Sequence, residues 1–289
     1  MLNMSNHPYH TVMIQIPAGK FQRDASPKNV SNVSSFWLSP TLVTQYEFNE
    51  VMCLSFPDRS DPDKVAMPAH EVTWFDAITF CNKLSIREGR TTAYTVDGID
   101  FMSITGNDTP VLDIEELEEE FESFFQNNSN WMNAQCDWES NGYRLPTVME
   151  WQWAAMGAPS DGRNGSVNRI GYRKSFPGSD AKNRLDDYVW HADNTGETMQ
   201  AVGRKNPNEM GLYDMIGLVW EWCWDSTDGF PLKRKGSLDN YRGPNNGQYR
   251  ILCGDSCPLF PPKTILGESH ELPGAMVLNY GFRVAFSDW

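Results

Sequence analysis

A chain of 289 residues with a formal net charge of -14 lacks the clustered Lys and Arg on which phosphate-backbone recognition depends, which excludes nucleic acid as a partner. Its 11 Trp, 15 Phe and 10 Tyr supply enough rigid apolar area for a sizeable core. No apolar run approaches the roughly 20 residues that span a bilayer, and Met1 to Pro8 lack the basic-then-apolar order of a secretory signal.

In chain order, Val12 to Ile16 alternates before a Pro17-Ala18-Gly19 turn, and Ser35 to Ser39 alternates again, predicting a strand, a turn and a second strand. Thr44 caps a helix carrying Tyr46, Phe48, Val51 and Met52. Thr73 caps a second, with Phe75, Ile78, Cys81 and Leu84 at helical period and Gly89 beyond its end. Asp113 to Phe125 is acidic and amphipathic, with Ile114, Leu117, Phe121, Phe124 and Phe125 on one face. It reads as an insertion over residues 97 to 130 that packs one stripe on the body, an acidic partner-docking element being the alternative.

Asn141 to Gly157 predicts a turn, an extended piece and a helix with a Thr147/Glu150 capping box. Ala158 to Ser179 is loop by composition, and Asn208 to Asp225 ends in a buried aromatic strand. Arg250 to Cys253 and Gly281 to Ala285 read as strands framing an apolar segment in which Pro258, Pro261 and Pro262 exclude a central strand or helix interior. The six cysteines, 53, 81, 136, 223, 253 and 257, are scattered, and no disulfide is expected.

Taken together, Ile16 to Gly19, Val72-Thr73-Trp74, Asn141 to Gly157, Gly211 to Met215, Val219 to Trp222 and Gly281-Phe282-Arg283 resemble the formylglycine-generating-enzyme, or sulfatase-modifying-factor, family. The resemblance implies an α+β, divergent C-type-lectin fold with little regular secondary structure, as one domain over residues 1 to 289. Family enzymes oxidise a substrate cysteine with dioxygen and copper held by two thiolates. Here the positions that would supply them, counted from Gly254-Asp255-Ser256, are Leu259 and Thr264, so the resemblance implies a non-enzyme. Cys253 and Cys257 lie out of register, and read as ordinary strand or loop thiols or as ligands of a shifted copper site.

The tail also resembles the variable proteins of diversity-generating retroelements, treponemal ones in particular, which display a randomised C-terminal cassette. On that resemblance residues 250 to 285 form the cassette. Asp255, Cys257, Leu259, Phe260, Leu266, His270, Leu272 and Gly274 form its ligand-binding surface, the ligand being a protein or other macromolecule. An apolar patch on a rigid scaffold is itself a recognition signature. The same resemblance suggests the cell surface.

Gly217, Val219 and Glu221 match a family calcium site, although Leu218 stands where the family usually has Asn; a buried, hydrogen-bonded Glu221 is the alternative. A second calcium site would draw on Asp193, Asn194 and Glu197. His70, His191 and His270 share no metal-binding spacing, and no nucleophile elbow, P-loop or dinucleotide fingerprint occurs. The expectation is a non-catalytic ligand-binding protein without a required cofactor, the alternative being a copper-dependent oxidase.

Overall fold

The structure, a computed structural model, describes residues 12 to 288 apart from 56–60, 107, 113–116, 159–165, 197, 230–233, 245–246 and 257–264, and apart from the side chains of 117–121. The strands are β1 (Ile14–Ile16), β2 (Gly19–Gln22), β3 (Val30–Val33), β4 (Phe36–Leu38), β5 (Tyr94–Thr95), β6 (Gln135–Cys136), β7 (Val167–Asn168), β8 (Trp220–Thr227), β9 (Leu238–Asp239), β10 (Tyr249–Gly254), β11 (Glu268–Glu271), β12 (Tyr280–Gly281) and β13 (Ala285–Phe286). The helices are α1 (Gln45–Met52), α2 (Pro62–Val65), α3 (Trp74–Arg87), α4 (Leu117–Asn127), α5 (Ser129–Met132), α6 (Val148–Ala155) and α7 (Ala192–Thr195).

Three helices start where a Thr side chain meets the third helical residue. Thr44 with Glu47, Thr73 with Asp76 and Thr147 with Glu150 each form a reciprocal capping box, satisfying two otherwise orphaned donors apiece. Helix α3 buries nearly its whole circumference. Helix α6 ends at Gly157, whose φ of +79° suits glycine. The acidic helix of the insertion is present from Leu117; its first four expected residues lie outside the described ones.

The central sheet has the order β11-β10-β8-β12. Along β8 and β10 the side chains alternate between two cores. Trp222 and Leu252 join the cluster built on α1 and α3, whereas Cys223, Ile251 and Cys253 join the one built on α6, Ile16, Phe21 and Phe36. Both faces are therefore covered, so the polar side chains that share the face of Cys223, those of Glu221 and Asp225, are buried as well. The sheet β1-β4-β13 brings the C-terminus back to the first strand, with Trp37 stacked on Phe286 at 5.7 Å between centroids.

Two expectations need correction, and one unexpected strand is added. The hairpin of β2 and β3 intervenes between the two strands expected at the N-terminus. The expected strand Gly281 to Ala285 is two short pieces, β12 pairing with β8 and β13 with β4, so the chain crosses between sheets at Phe282 to Val284. The apolar segment contains β11, antiparallel to β10; it is an edge strand free of proline, and the sequence argument excluded only a central one.

Candidate functional site

The frame of the C-terminal segment rests on one ion pair. Arg283 donates from Nε to Glu221 Oε2 at 2.6 Å and from Nη2 to Glu221 Oε1 at 2.8 Å. Trp151 Nε1 also donates to Glu221 Oε2, at 2.8 Å. The remaining guanidinium hydrogens reach the carbonyls of Ser39, Pro40 and Tyr213. Both charged side chains are fully buried, so the pair ties β8 to the residues following β12 with every donor matched.

The two ends of the cassette meet above this frame. Asn279 Nδ2 donates to Ser256 Oγ, and Trp220 N donates to the Asn279 carbonyl at 2.8 Å. The Asp255 carbonyl accepts from Gly217 N at 2.8 Å. The Asp255 side chain is half-buried, and partial burial raises its carboxyl above the usual range.

Among the expected surface residues, Cys257, Leu259 and Phe260, together with Thr264, lie outside the described residues. Leu266 is half-buried against the α6 core. His270 on β11 is half-buried and meets the Tyr249 ring edge-on at 4.8 Å. Leu272 and Gly274 must be removed from the surface. Leu272 is 3% exposed and belongs to the α3 core, and Gly274 is buried under the Phe124 ring of α4. The insertion causes this, because Leu112 N donates to the Gly274 carbonyl at 2.8 Å and Leu112 bridges Ala275.

Among the described residues of the cassette, those that face solvent are Met276, 47% exposed, and Leu278, 61% exposed. Their signal was two large apolar residues two apart in a stretch without strand pairing, just after Pro273-Gly274.

Gly274 carries a direct test. A β-carbon there would overlap Phe124 Cζ, so Gly274→Val is expected to cost about 1–3 kcal/mol through overpacking. Chemical denaturation measures it, and trimming the ring in Gly274→Val/Phe124→Ala should make the valine less costly than it is beside Phe124.

At the other margin of the cassette, Arg234 holds Glu268 of β11 at 2.8 Å, and Gln152 of α6 donates to the same carboxylate. Arg23 donates to the Gly236 carbonyl two residues further on. Asp225, fully buried beneath them, is pushed up to about 7 by desolvation against the pull of Arg234.

The calcium donor set does not fit the ion. Both oxygens of Glu221 are committed to Arg283, and the Gly217 carbonyl accepts from Val219 N at 3.0 Å. A dication on that carboxylate would face a guanidinium across it. At the second expected site the Asn194 side chain bonds backbone groups of His191 and Val189, Asp193 points outward, 89% exposed, and Glu197 lies outside the described residues. Among the described residues no group of three or more His, Cys, Asp or Glu side chains is placed to hold a metal.

Cys253 does not offer a surface thiolate either. It is fully buried against Cys223 on the neighbouring strand, and burial raises both thiols. The five described cysteines are free.

The chain is an α+β scaffold of divergent C-type-lectin type, with its C-terminal segment tied to the body through Ser256, Asn279 and Arg283. The chain belongs to the family of the Sulfatase-modifying factor enzyme 1-like domain, whose family model matches residues 3–287. The solved Treponema denticola variable protein 1 is similar at 28% identity and a TM-score of 0.74, over 95% of this chain and 94% of that one. CarF shares the fold at 20% identity and a TM-score of 0.65, over 96% of this chain and 99% of that one.

Among curated relatives, Chaperone protein LppX of Paenibacillus barcinonensis is 29% identical over 74% of this chain and 71% of its own length. The Formylglycine-generating enzyme of Thermomonospora curvata is 31% identical over 54% of this chain and 53% of its own length. The chain thus spans about half the length of that enzyme. No helix among the described residues is long and apolar enough to cross a membrane.

Proposed function

We propose that the chain is a non-catalytic ligand-binding variable protein: one domain over residues 1 to 289, decorated at 97 to 130, that displays a diversified surface from a cassette at 250 to 285. The observation that carries this is an asymmetry within one segment. Ile251 to Cys253 and Phe282 to Ala285 are buried, whereas Met276 and Leu278 between them stand exposed. A frame whose own side chains are buried keeps its fold when the exposed ones change, and a preorganised surface pays no ordering cost on binding. Likeness to a treponemal variable protein over nearly the whole chain supports the same reading. Its ligand is a protein or other macromolecule, with Met276 and Leu278 as apolar anchors and Asp255 and His270 as polar selectors.

The test is tolerance. Simultaneous substitution of Asp255, Leu259, Phe260, His270, Met276 and Leu278 by varied residues should leave most library members folded, and selection against a purified protein should yield binders. Loss of cooperative unfolding in most members would overturn the proposal. Oxygen uptake with copper and a cysteine-containing peptide should stay at background; uptake that disappears in Cys257→Ser would establish the oxidase instead.

A further inference from the structure

The insertion borders the exposed part of the cassette and is fixed there at several points. Thr109 Oγ1 donates to Asp76 Oδ1 of α3 at 2.5 Å, both groups buried, and Leu112 N donates to the Gly274 carbonyl. A parallel bridge joins Leu112 to Ala275. Phe124 of α4, lying over Gly274, packs in turn on Phe75 of α3 at 6.5 Å between centroids. Residues 109 to 112 are thus anchored at both ends and need no ordering before they meet a partner.

Side chains alternate across an extended pair. Leu112 and Ala275 point inward and are buried, so the residues next to them, Val111 and Met276, project together on the outer side. Val111 is 48% exposed, as open as Met276, and Leu278 lies two residues beyond. One apolar side chain from the insertion and two from the cassette therefore form a single patch.

The surroundings of that patch are acidic. No Lys or Arg occurs between Arg90 and Arg144, whereas residues 113 to 122 are mostly Asp and Glu. Among the described side chains, Asp108 stands exposed three residues before Val111, and Glu122 stands exposed two residues before Phe124. Asp108 accepts from Thr105 N and Oγ1 at 2.7 Å, and the amide hydrogen bond holds its carboxyl below the usual range.

We propose that the insertion and the cassette form one composite docking surface whose occupant is a basic protein segment. An apolar side chain of that segment sits on Val111, Met276 and Leu278, and the Lys and Arg around it face Asp108 and Glu122. An acidic segment would meet like charge at the same rim. The inference rests on the display reading and narrows its ligand. Because the insertion lies outside residues 250 to 285, its charge stays constant while the cassette varies, so every variant shares the preference for a basic partner.

The experiment selects peptides from a random phage-displayed library against the full chain and measures the strongest by surface binding kinetics. They should be rich in Lys and Arg around an apolar residue. Val111→Ser leaves the net charge unchanged and should weaken binding about tenfold or more, as loss of an anchor does; Met276→Ser should do the same. Asp108→Asn/Glu122→Gln should slow association and flatten its dependence on salt, with dissociation little changed. All four positions are exposed, and unchanged urea midpoints check that each variant folds.

The inference is overturned if no peptide is selected, if the selected peptides carry no excess of Lys and Arg, or if binding survives Val111→Ser at full strength. Binding lost in Met276→Ser alone rejects the composite surface and leaves the display reading standing. Loss in Val111→Ser alone rejects the composite surface too, and places the ligand on the insertion. Failure of the display reading shows separately, as cassette libraries that do not fold.

Discussion

Arg283→Met is expected to lower the unfolding free energy by about 3–5 kcal/mol, the cost of leaving one member of a buried ion pair without the other. The variant strands the Glu221 carboxylate, fully buried with only Trp151 Nε1 still donating to it, and removes the donor from the carbonyls of Ser39, Pro40 and Tyr213. Ser39 lies just after β4 and Tyr213 just before β8, so the lost contacts join three parts of the chain at one guanidinium.

The paired variant Arg283→Met/Glu221→Met should lose much less than the sum of its singles, because no charge is then left buried and unpaired. Urea denaturation of the two singles and the double measures this coupling. An additive result would show that the carbonyl contacts of Arg283, and not its partnership with Glu221, hold the frame.

The parts of this fold that were legible in the sequence are those governed by neighbours along the chain. Thr44, Thr73 and Thr147 each stand three residues before a carboxylate, and each begins a helix. The buried aromatic strand expected at the end of Asn208 to Asp225 likewise becomes β8. By contrast β11 reads Glu-Ser-His-Glu and is half-buried throughout, so it has no apolar period to betray it. Its strand character comes from the edge of β10.

Long-range coverage hid most of the site. Leu272 and Gly274 look like surface residues until Leu112 and Phe124, some 150 residues earlier, are placed over them. Glu221 carries a metal-site signature in sequence, but Arg283, 62 residues later, claims both of its oxygens. Leu218 stood out only as a departure from pattern, and its role became visible once Trp190 and Met199 were seen to pack on it.

Asp225→Asn is expected to change the pH dependence of stability strongly. The carboxylate lies wholly inside the protein at the start of α6, where Oδ2 accepts from Val148 N at 2.8 Å and Oδ1 has no partner. Burial raises its pKa from the usual 3.8 of an aspartic acid to about 7, against opposing pulls from Arg234 and the Val148 amide. A folded-state pKa above the unfolded one means that the folded chain binds the extra proton between those values. Stability from this group is therefore complete below about pH 4, falls as pH rises toward 7, and is level beyond.

The rise from 3.8 to about 7 corresponds to about 4 kcal/mol at pH 8. Asn keeps the acceptor for Val148 and carries no titratable proton. The stability of Asp225→Asn relative to the wild type should therefore rise by about that amount between pH 4 and 8. Asp214, raised to about 6 by burial, imposes the same direction on both proteins and cancels in the difference. Urea denaturation of the two proteins at pH 4, 6 and 8 tests this, and a difference independent of pH would mean that Asp225 is ionised in the folded chain throughout.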